Sequence, residues 1–423
     1  MKILVIGKDA KEHAICWKLT QSELPTEIFC LPGNIGTEKL GTNVPILEDE
    51  IDKIVEFSIE NQIDLAIVSS KKALSKGVVD ALQRARIVTF GPNKNVMAII
   101  NSRSQQKKLF SKNKIFTPRF CALEKETTAI DYARNSNYPI LIKLDSDNAD
   151  INTHLACTFP QAKKHIEYAF SDLNKKVIIE DFIQAKEIVL PVLIDGGAVL
   201  PLPAVRLFRH LADGDGGAIT TGMASYATPI DKEIEAYIAD NIVFPFLDAL
   251  SMQKTPYFGL LAFHLKFLDD DTIFLEEVNS DLGNIMTQTI LPLIKEDFVK
   301  LCYDCATGSM GDIYQNIQQE PFLTTTSLML TKKPYPKDFE KGAVITIQED
   351  LPEDVLIFYN RAIKNIYFET ITDGGQILTM TAIGATLTSS INKLYENITS
   401  IDFEGKNYRK DIGKNFFKEI IQE

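Results

Sequence analysis

Residues 257–288 read YFGLLAFHLKFLDDDTIFLEEVNSDLGNIMTQ. Two apolar runs, residues 259–267 and 272–278, flank the acidic tip Asp269-Asp270-Asp271, which is the pattern of an antiparallel hairpin. The second run ends in Glu276-Glu277-Val278-Asn279. Side chains alternate faces along a strand, so Glu277 and Asn279 share one face. A carboxylate and an amide oxygen at that spacing suit Mg2+, which takes oxygen ligands and shares them with phosphates. The plainer reading is an acidic strand end facing water.

Working outward, 423 residues predict about two to four domains and a large core. Apolar residues at 45% and charged residues at 24% are ordinary for a soluble globular chain. A net charge of −12 argues against a general nucleic-acid or anionic-membrane binder and leaves room for a local basic site. The N-terminus has only residues 3–6 as an apolar run, too short for a signal peptide, and no run approaches a membrane span. The six cysteines are scattered, so they are read as reduced and the chain as cytoplasmic. The lone Cys302-Tyr303-Asp304-Cys305 sits in a helical pattern and is read as packing.

Strand and helix patterns alternate through the first hundred residues. Strands are expected at 2–6, 27–31, 63–68 and 87–90, with helices at 12–19, 50–61 and 72–85 between them. That order implies a parallel sheet with crossover helices. A basic helix is expected at 102–113. An α+β block follows, with strands at 139–144 and 176–182 and a hairpin turning at Asp195-Gly196-Gly197. Residues 211–221, LADGDGGAITT, read as a flexible loop able to lie over a site. One long helix is expected at 231–248. From about residue 321 the pattern is β-rich, with strands expected at 327–331, 343–348, 355–359, 366–368 and 377–382. A helix at 386–398 and a terminal helix beyond Gly413 complete it.

No single motif decides the chemistry. Gly7-Lys8-Asp9-Ala10 sits at a strand-to-helix turn where phosphate loops lie, yet keeps one glycine and fails as a dinucleotide fingerprint. Lys143 ends a buried run, and Glu180-Asp181 with Glu187 forms an acidic strand-to-loop crossing. Each reads equally as a surface feature.

Several segments together resemble the glycinamide ribonucleotide synthetase (phosphoribosylamine–glycine ligase) family of ATP-grasp enzymes, over essentially the whole chain. Lys11-Glu12-His13-Ala14 is similar to the family's REHA, Pro32-Gly33-Asn34-Ile35-Gly36-Thr37 to its PGNAGT, and Phe90-Gly91-Pro92 to its FGP. Asp373-Gly374-Gly375-Gln376-Ile377-Leu378 and Tyr408-Arg409-Lys410-Asp411-Ile412-Gly413 are similar to its GGRVL and YRKDIG. The resemblance implies an α/β and α+β multidomain fold. A parallel-sheet domain would occupy residues 1–101. An ATP-grasp domain would occupy 102–320, with a lid-like subdomain at 119–190, and a β-rich domain 321–423. It implies ATP, with Mg2+ or Mn2+, and phosphoribosylamine and glycine as substrates joined through a glycyl phosphate in purine biosynthesis. By position, Arg103, Lys143, Glu180, Phe182 and Glu187 would bind ATP. Glu277 and Asn279 would bind metal, and Lys11, His13, Asn34 and Gly36 substrate. A cytoplasmic monomer or small homo-oligomer, with no nucleic-acid or membrane partner, is implied.

The departures cluster at function. The glycine-rich phosphate loop is replaced by Asp145-Ser146-Asp147-Asn148-Ala149-Asp150-Ile151, and the family's RFGDPE by Asp281-Leu282-Gly283-Asn284-Ile285-Met286. Whether Lys8, Lys71 and Arg206 rebuild a phosphate site in place of the lost groups is a question the sequence leaves open. Three readings follow: an active ligase with an unusual site, a catalytically impaired or non-catalytic paralogue that binds or regulates, and an ATP-grasp ligase with another substrate.

Overall fold

The computed structural model describes residues 1–145, 153–171, 176–252, 256–270, 272–311, 323–337 and 340–414. Asp147, Asp150, Asp271 and the expected terminal helix lie outside the described residues.

The first unit is a five-stranded sheet ordered Thr42–Asn43, Glu27–Pro32, Lys2–Gly7, Leu65–Val68, Val88–Phe90, with its paired strands parallel. Its central strands are buried on both faces, which is why they read as unbroken apolar runs. The helix expected at 72–85 is two, Lys71–Lys76 and Val78–Arg84, because Gly77 takes a left-handed φ of 88° and caps the first.

A four-stranded sheet follows in the stretch expected to be lid-like, and is called the lid for brevity, ordered Phe120–Leu123, Val177–Asp181, Ile140–Leu144, Thr153–Ala156. Ile140, Ile142, Val177 and Ile179 pack beneath the helices Glu126–Arg134 and Phe159–Ser171. The period of two turns Lys143 and Glu180 to the opposite face. That face looks onto a ten-stranded sheet whose path runs Ile273–Asn279, Phe258–Phe267, Lys186–Asp195, Val205–Ala212, Gly216–Ala227, Thr324–Lys332, Gln376–Gly384, Val355–Tyr359. The C-terminal strands continue this sheet through the pairing of Ala224 with Leu328. Behind it, Phe263, Leu265, Leu275 and Val278 pack on Phe110, Ile242 and Phe246.

Three other expectations are corrected. Residues 211–221 are not a flexible loop: they belong to the antiparallel pair Val205–Ala212 and Gly216–Ala227, joined by one short turn. The turn is held from outside, by Arg409 Nη1 on Asp215 Oδ1 at 2.7 Å, Gly214 N on Asp411 Oδ2 at 2.7 Å, and Lys410 N on Asp213 Oδ1 at 2.8 Å. The helix at 231–248 is interrupted by a π-turn, Ala239–Val243, between Lys232–Ile238 and Phe244–Met252. Residues 366–368 are an exposed turn between Ala362–Lys364 and Thr370–Thr372, because the Asn365 side chain accepts from the backbone of Tyr367 and Glu369. Cys302 and Cys305 are buried in the helix Phe298–Thr307, as packing requires. Among the described residues no helix is long and apolar enough to cross a membrane.

Arg409 is 2% exposed and also grips Asp411 through two nitrogens, at 2.8 and 2.6 Å. Replacing it with Leu strands a partly buried carboxylate and frees the 213–215 turn, costing about 1–3 kcal/mol. Arg409→Leu is expected to lower the denaturant midpoint and to speed amide exchange at residues 212–217. Unchanged exchange there would show that the turn does not depend on this arginine.

Candidate functional site

The facing sheets enclose a cleft whose walls carry charge. Helix Arg103–Lys112 presents Arg103 and Lys107 one turn apart on the same face. The lid contributes Lys143 and Glu180, and the large sheet Glu187, Arg209, His264, Lys266, Glu276 and Glu277. The hairpin read first has a bulge that places two glutamates in the cleft. His264 pairs with Glu277 but Leu265 pairs with Leu275, so Glu276 is an extra residue in its strand. Leu275 and Val278 stay in the core, and both glutamates between them turn to the cleft. Strict alternation would have put Glu276 on the core side, which is why sequence reading missed it.

These side chains form one continuous line of alternating charge. Lys107 holds Glu180 at 2.9 Å, and Glu180 holds Lys143 at 2.9 Å. Lys143 reaches Glu276 at 2.7 Å, which reaches Lys266 at 3.1 Å. Lys266 meets Glu187 at 3.3 Å, and Glu187 meets Arg209 at 3.1 Å. Arg209 bonds Glu277 at 3.2 Å, and Glu277 bonds Arg103 at 3.1 Å. Arg103 then donates to Thr153 of the lid at 3.0 Å. Five cations thus alternate with four carboxylates.

The protonation states follow from this packing. Burial alone would raise the carboxyls of Glu276 and Glu277. Lys143 and Lys266 hold Glu276 well below its ordinary value, and Arg103 and Arg209 do the same for Glu277. Burial likewise opposes ionisation of Glu187, yet Arg209 and Lys266 hold it down to about 2.

Beside this line lies an open cleft of about 770 Å3. Its walls include Lys8, Lys11, Lys71 and Asp281, and also Arg103, Arg209, Glu277 and Asn279 from the ion line. Lys11 Nζ is 2.6 Å from Asp281 Oδ2, and Lys71 Nζ is 3.4 Å from Asp281 Oδ1. Glu12, fully buried, accepts from Asp9 N at 2.7 Å and from Ser69 Oγ at 2.5 Å. Burial pushes its carboxyl up to about 7 despite nearby Lys11.

The sequence-derived residues fall into separate groups. Arg103, Lys143, Glu180, Glu187, Glu277 and Asn279 converge on the cleft between the sheets. Phe182 is 38% exposed and lines neither space. Of the four substrate-side residues only Lys11 lines the open cleft. His13 accepts from Tyr359 N at 3.0 Å and stacks on the Tyr359 ring. Asn34 Nδ2 bonds the carbonyls of Lys8, Asp9 and Tyr359, while its Oδ1 accepts from Gly36 N and Thr37 N. A Cβ on Gly36 would come within 2.2 Å of the His13 ring. These three therefore brace the first domain against the C-terminal strands. Arg206 lies over the Phe208 ring and not on the open cleft, whereas Lys8 and Lys71 line it.

Arg103, Gln106, Lys107, Lys143, Ile178, Glu180, Glu276 and Glu277 enclose a space that admits no water-sized sphere. Both oxygens of Glu277 are taken by guanidinium groups, and Asn279 Nδ2 bonds His264 Nε2 at 3.0 Å. Among the described residues no cluster of three or more metal-ligating side chains forms. In this arrangement the charged side chains around the narrow space are paired with one another, while Arg103, Glu277 and Asn279 also face the open cleft.

Comparison with known proteins places the whole chain. The phosphoribosylglycinamide synthetase N domain matches residues 1–99, its ATP-grasp domain residues 101–286, and its C domain residues 325–415. The phosphoribosylamine–glycine ligase of Caldanaerobacter subterraneus is 30% identical, covering 98% of this chain and 100% of that protein. That of Haemophilus influenzae is 29% identical, with 100% of both chains covered. The crystal structure of the Thermotoga maritima phosphoribosylamine–glycine ligase superposes with a TM-score of 0.81 at 25% identity, over 97% of this chain and 100% of that one. A Hydrogenobacter thermophilus biotin carboxylase domain crystallised with MgADP shares the fold, at a TM-score of 0.71 and 12% identity, over 96% of this chain and 91% of that one.

The pH dependence of the ion line has a definite sign. A carboxylate held low stabilises the fold fully above its ordinary value, here 4.5 for glutamate, and loses that contribution as pH falls toward about 2. Glu12 works the other way: held near 7, it favours the fold at acid pH and loses that contribution as pH rises from 4.5 to 7. Tm is therefore expected to fall steeply below pH 4.5, and Glu12→Gln to flatten the slope between 4.5 and 7. A Tm independent of pH below 4.5 would contradict the ion line.

Proposed function

The chain belongs to the phosphoribosylglycinamide synthetase family, and from that membership we propose that it serves the phosphoribosylamine–glycine ligase step of purine biosynthesis. The reaction joins the glycine carboxylate to the amine of phosphoribosylamine, with ATP and a divalent metal (Mg2+ or Mn2+) as the ATP-grasp class uses them. A single observation carries the reading. Lys143, Glu180, Glu187, Glu277 and Asn279, far apart in sequence, meet in one cleft of a chain matched along its length by ligases. The open cleft beside them is the substrate side in this reading. Lys8, Lys11 and Lys71 offer cations to a phosphate ester, and Asp281 offers a carboxylate to an amine. A protein of this reaction works in the cytoplasm as a monomer or small homo-oligomer.

The ion line favours a second reading, a catalytically impaired paralogue that binds the substrates of this step without turning them over. Its support is that the cations and carboxylates of the cleft between the sheets are paired with one another.

One assay separates the two. With saturating MgATP, glycine and freshly generated phosphoribosylamine, the ligase reading expects ADP release that depends on glycine. Absence of that dependence at demonstrated nucleotide saturation overturns it.

A further inference from the structure

We infer that the alternating ion line occupies the nucleotide's place, closing the lid onto the large sheet by itself and excluding MgATP until the line is broken. The inference rests on the ATP-grasp arrangement of the two sheets, and it deepens the ligase reading by naming what controls entry to that same cleft.

Three observations carry it. First, the line crosses the cleft. Lys107 and Arg103 come from a helix on the large-sheet side, yet bond Glu180 and Thr153 of the lid, while Lys143 of the lid bonds Glu276 of the large sheet at 2.7 Å. Second, the cations that would meet phosphate are already matched. Lys143 touches Glu180 and Glu276, and Arg103 touches Glu277. Third, Glu276 and Lys266 stand at the middle of the line, where Glu276 takes an ammonium group from the lid, Lys143, and one from the large sheet, Lys266. Each inner member of the line has an opposite charge on both sides, so each largely buried charge is matched. A triphosphate entering this cleft has to displace carboxylates from the cations it needs, and those carboxylates would then lie beside it as like charges.

The test uses the full chain and MgATP as the probe, with calorimetric affinity and amide exchange of the lid strands as readouts. In the unaltered chain, strands Ile140–Leu144 and Val177–Asp181 are expected to be protected without nucleotide, and millimolar MgATP is expected to leave that protection unchanged. The double variant Glu276→Leu with Lys266→Met removes one anion and one cation together, so the line keeps its balance of charge. It is expected to bind MgATP about tenfold or more tightly than the unaltered chain. Equal affinity in the two proteins, or lid strands that become protected only with MgATP in the unaltered chain, overturns the inference. If the double variant fails to fold, the exchange measurement on the unaltered chain decides alone. The ligase reading fails separately, if a variant that binds MgATP still gives no glycine-dependent ADP.

Discussion

Charge can be buried between two sheets only if every charge meets its opposite, and this constraint organises the centre of the molecule. Taking an ion out of water costs several kcal/mol even after relaxation, and attraction offsets that only where the geometry is close. The line from Lys107 to Arg103 meets the condition by strict alternation, with contacts of 2.7 to 3.3 Å at each step. It also meets it collectively. Removing one member leaves its neighbours buried with one partner fewer, so the line behaves as a unit.

The line depends in turn on a local irregularity of backbone. A regular strand would offer the cleft Glu277 and Asn279 and send Glu276 into the apolar layer with Phe263 and Leu265. The bulge opposite His264 turns Glu276 outward and joins Lys143 to Lys266. The end of the line, Arg103, Glu277 and Arg209, is shared with the wall of the open cleft. Any rearrangement that frees the nucleotide side therefore alters the charges facing the substrate side.

The family motifs divide into two kinds when seen in space. Lys11 is paired with Asp281, and so answers the charge that replaces the family's arginine. His13, Asn34 and Gly36 carry family likeness for a mechanical reason. They lock the turn after Glu27–Pro32 to Tyr359, and Gly36 is there because the His13 ring leaves no room for a side chain. A motif can thus persist through a change of site because the joint between domains needs it.

The sequence by itself determined the alternation of strands and helices in the first hundred residues, the parallel first sheet, the hairpin of residues 257–288 and the family. Each of these rests on local patterns, such as apolar periodicity, glycine turns and motif spacing, that a chain displays without its neighbours. It also placed Glu277 and Asn279 on one face, which alternation alone fixes. Only the tertiary structure decided that Glu276 joins them, because a bulge is set by the pairing of two strands and leaves no mark in one. It decided that residues 211–221 are a tethered hairpin, because Arg409 and Asp411, distant in sequence, hold the turn. It decided, finally, that Arg103, Lys143, Glu180 and Glu187 join one line of alternating charge with Lys107, Arg209, Lys266, Glu276 and Glu277. Charge pairing across a cleft depends on distance in space, and the residues of this line lie up to 174 positions apart along the chain.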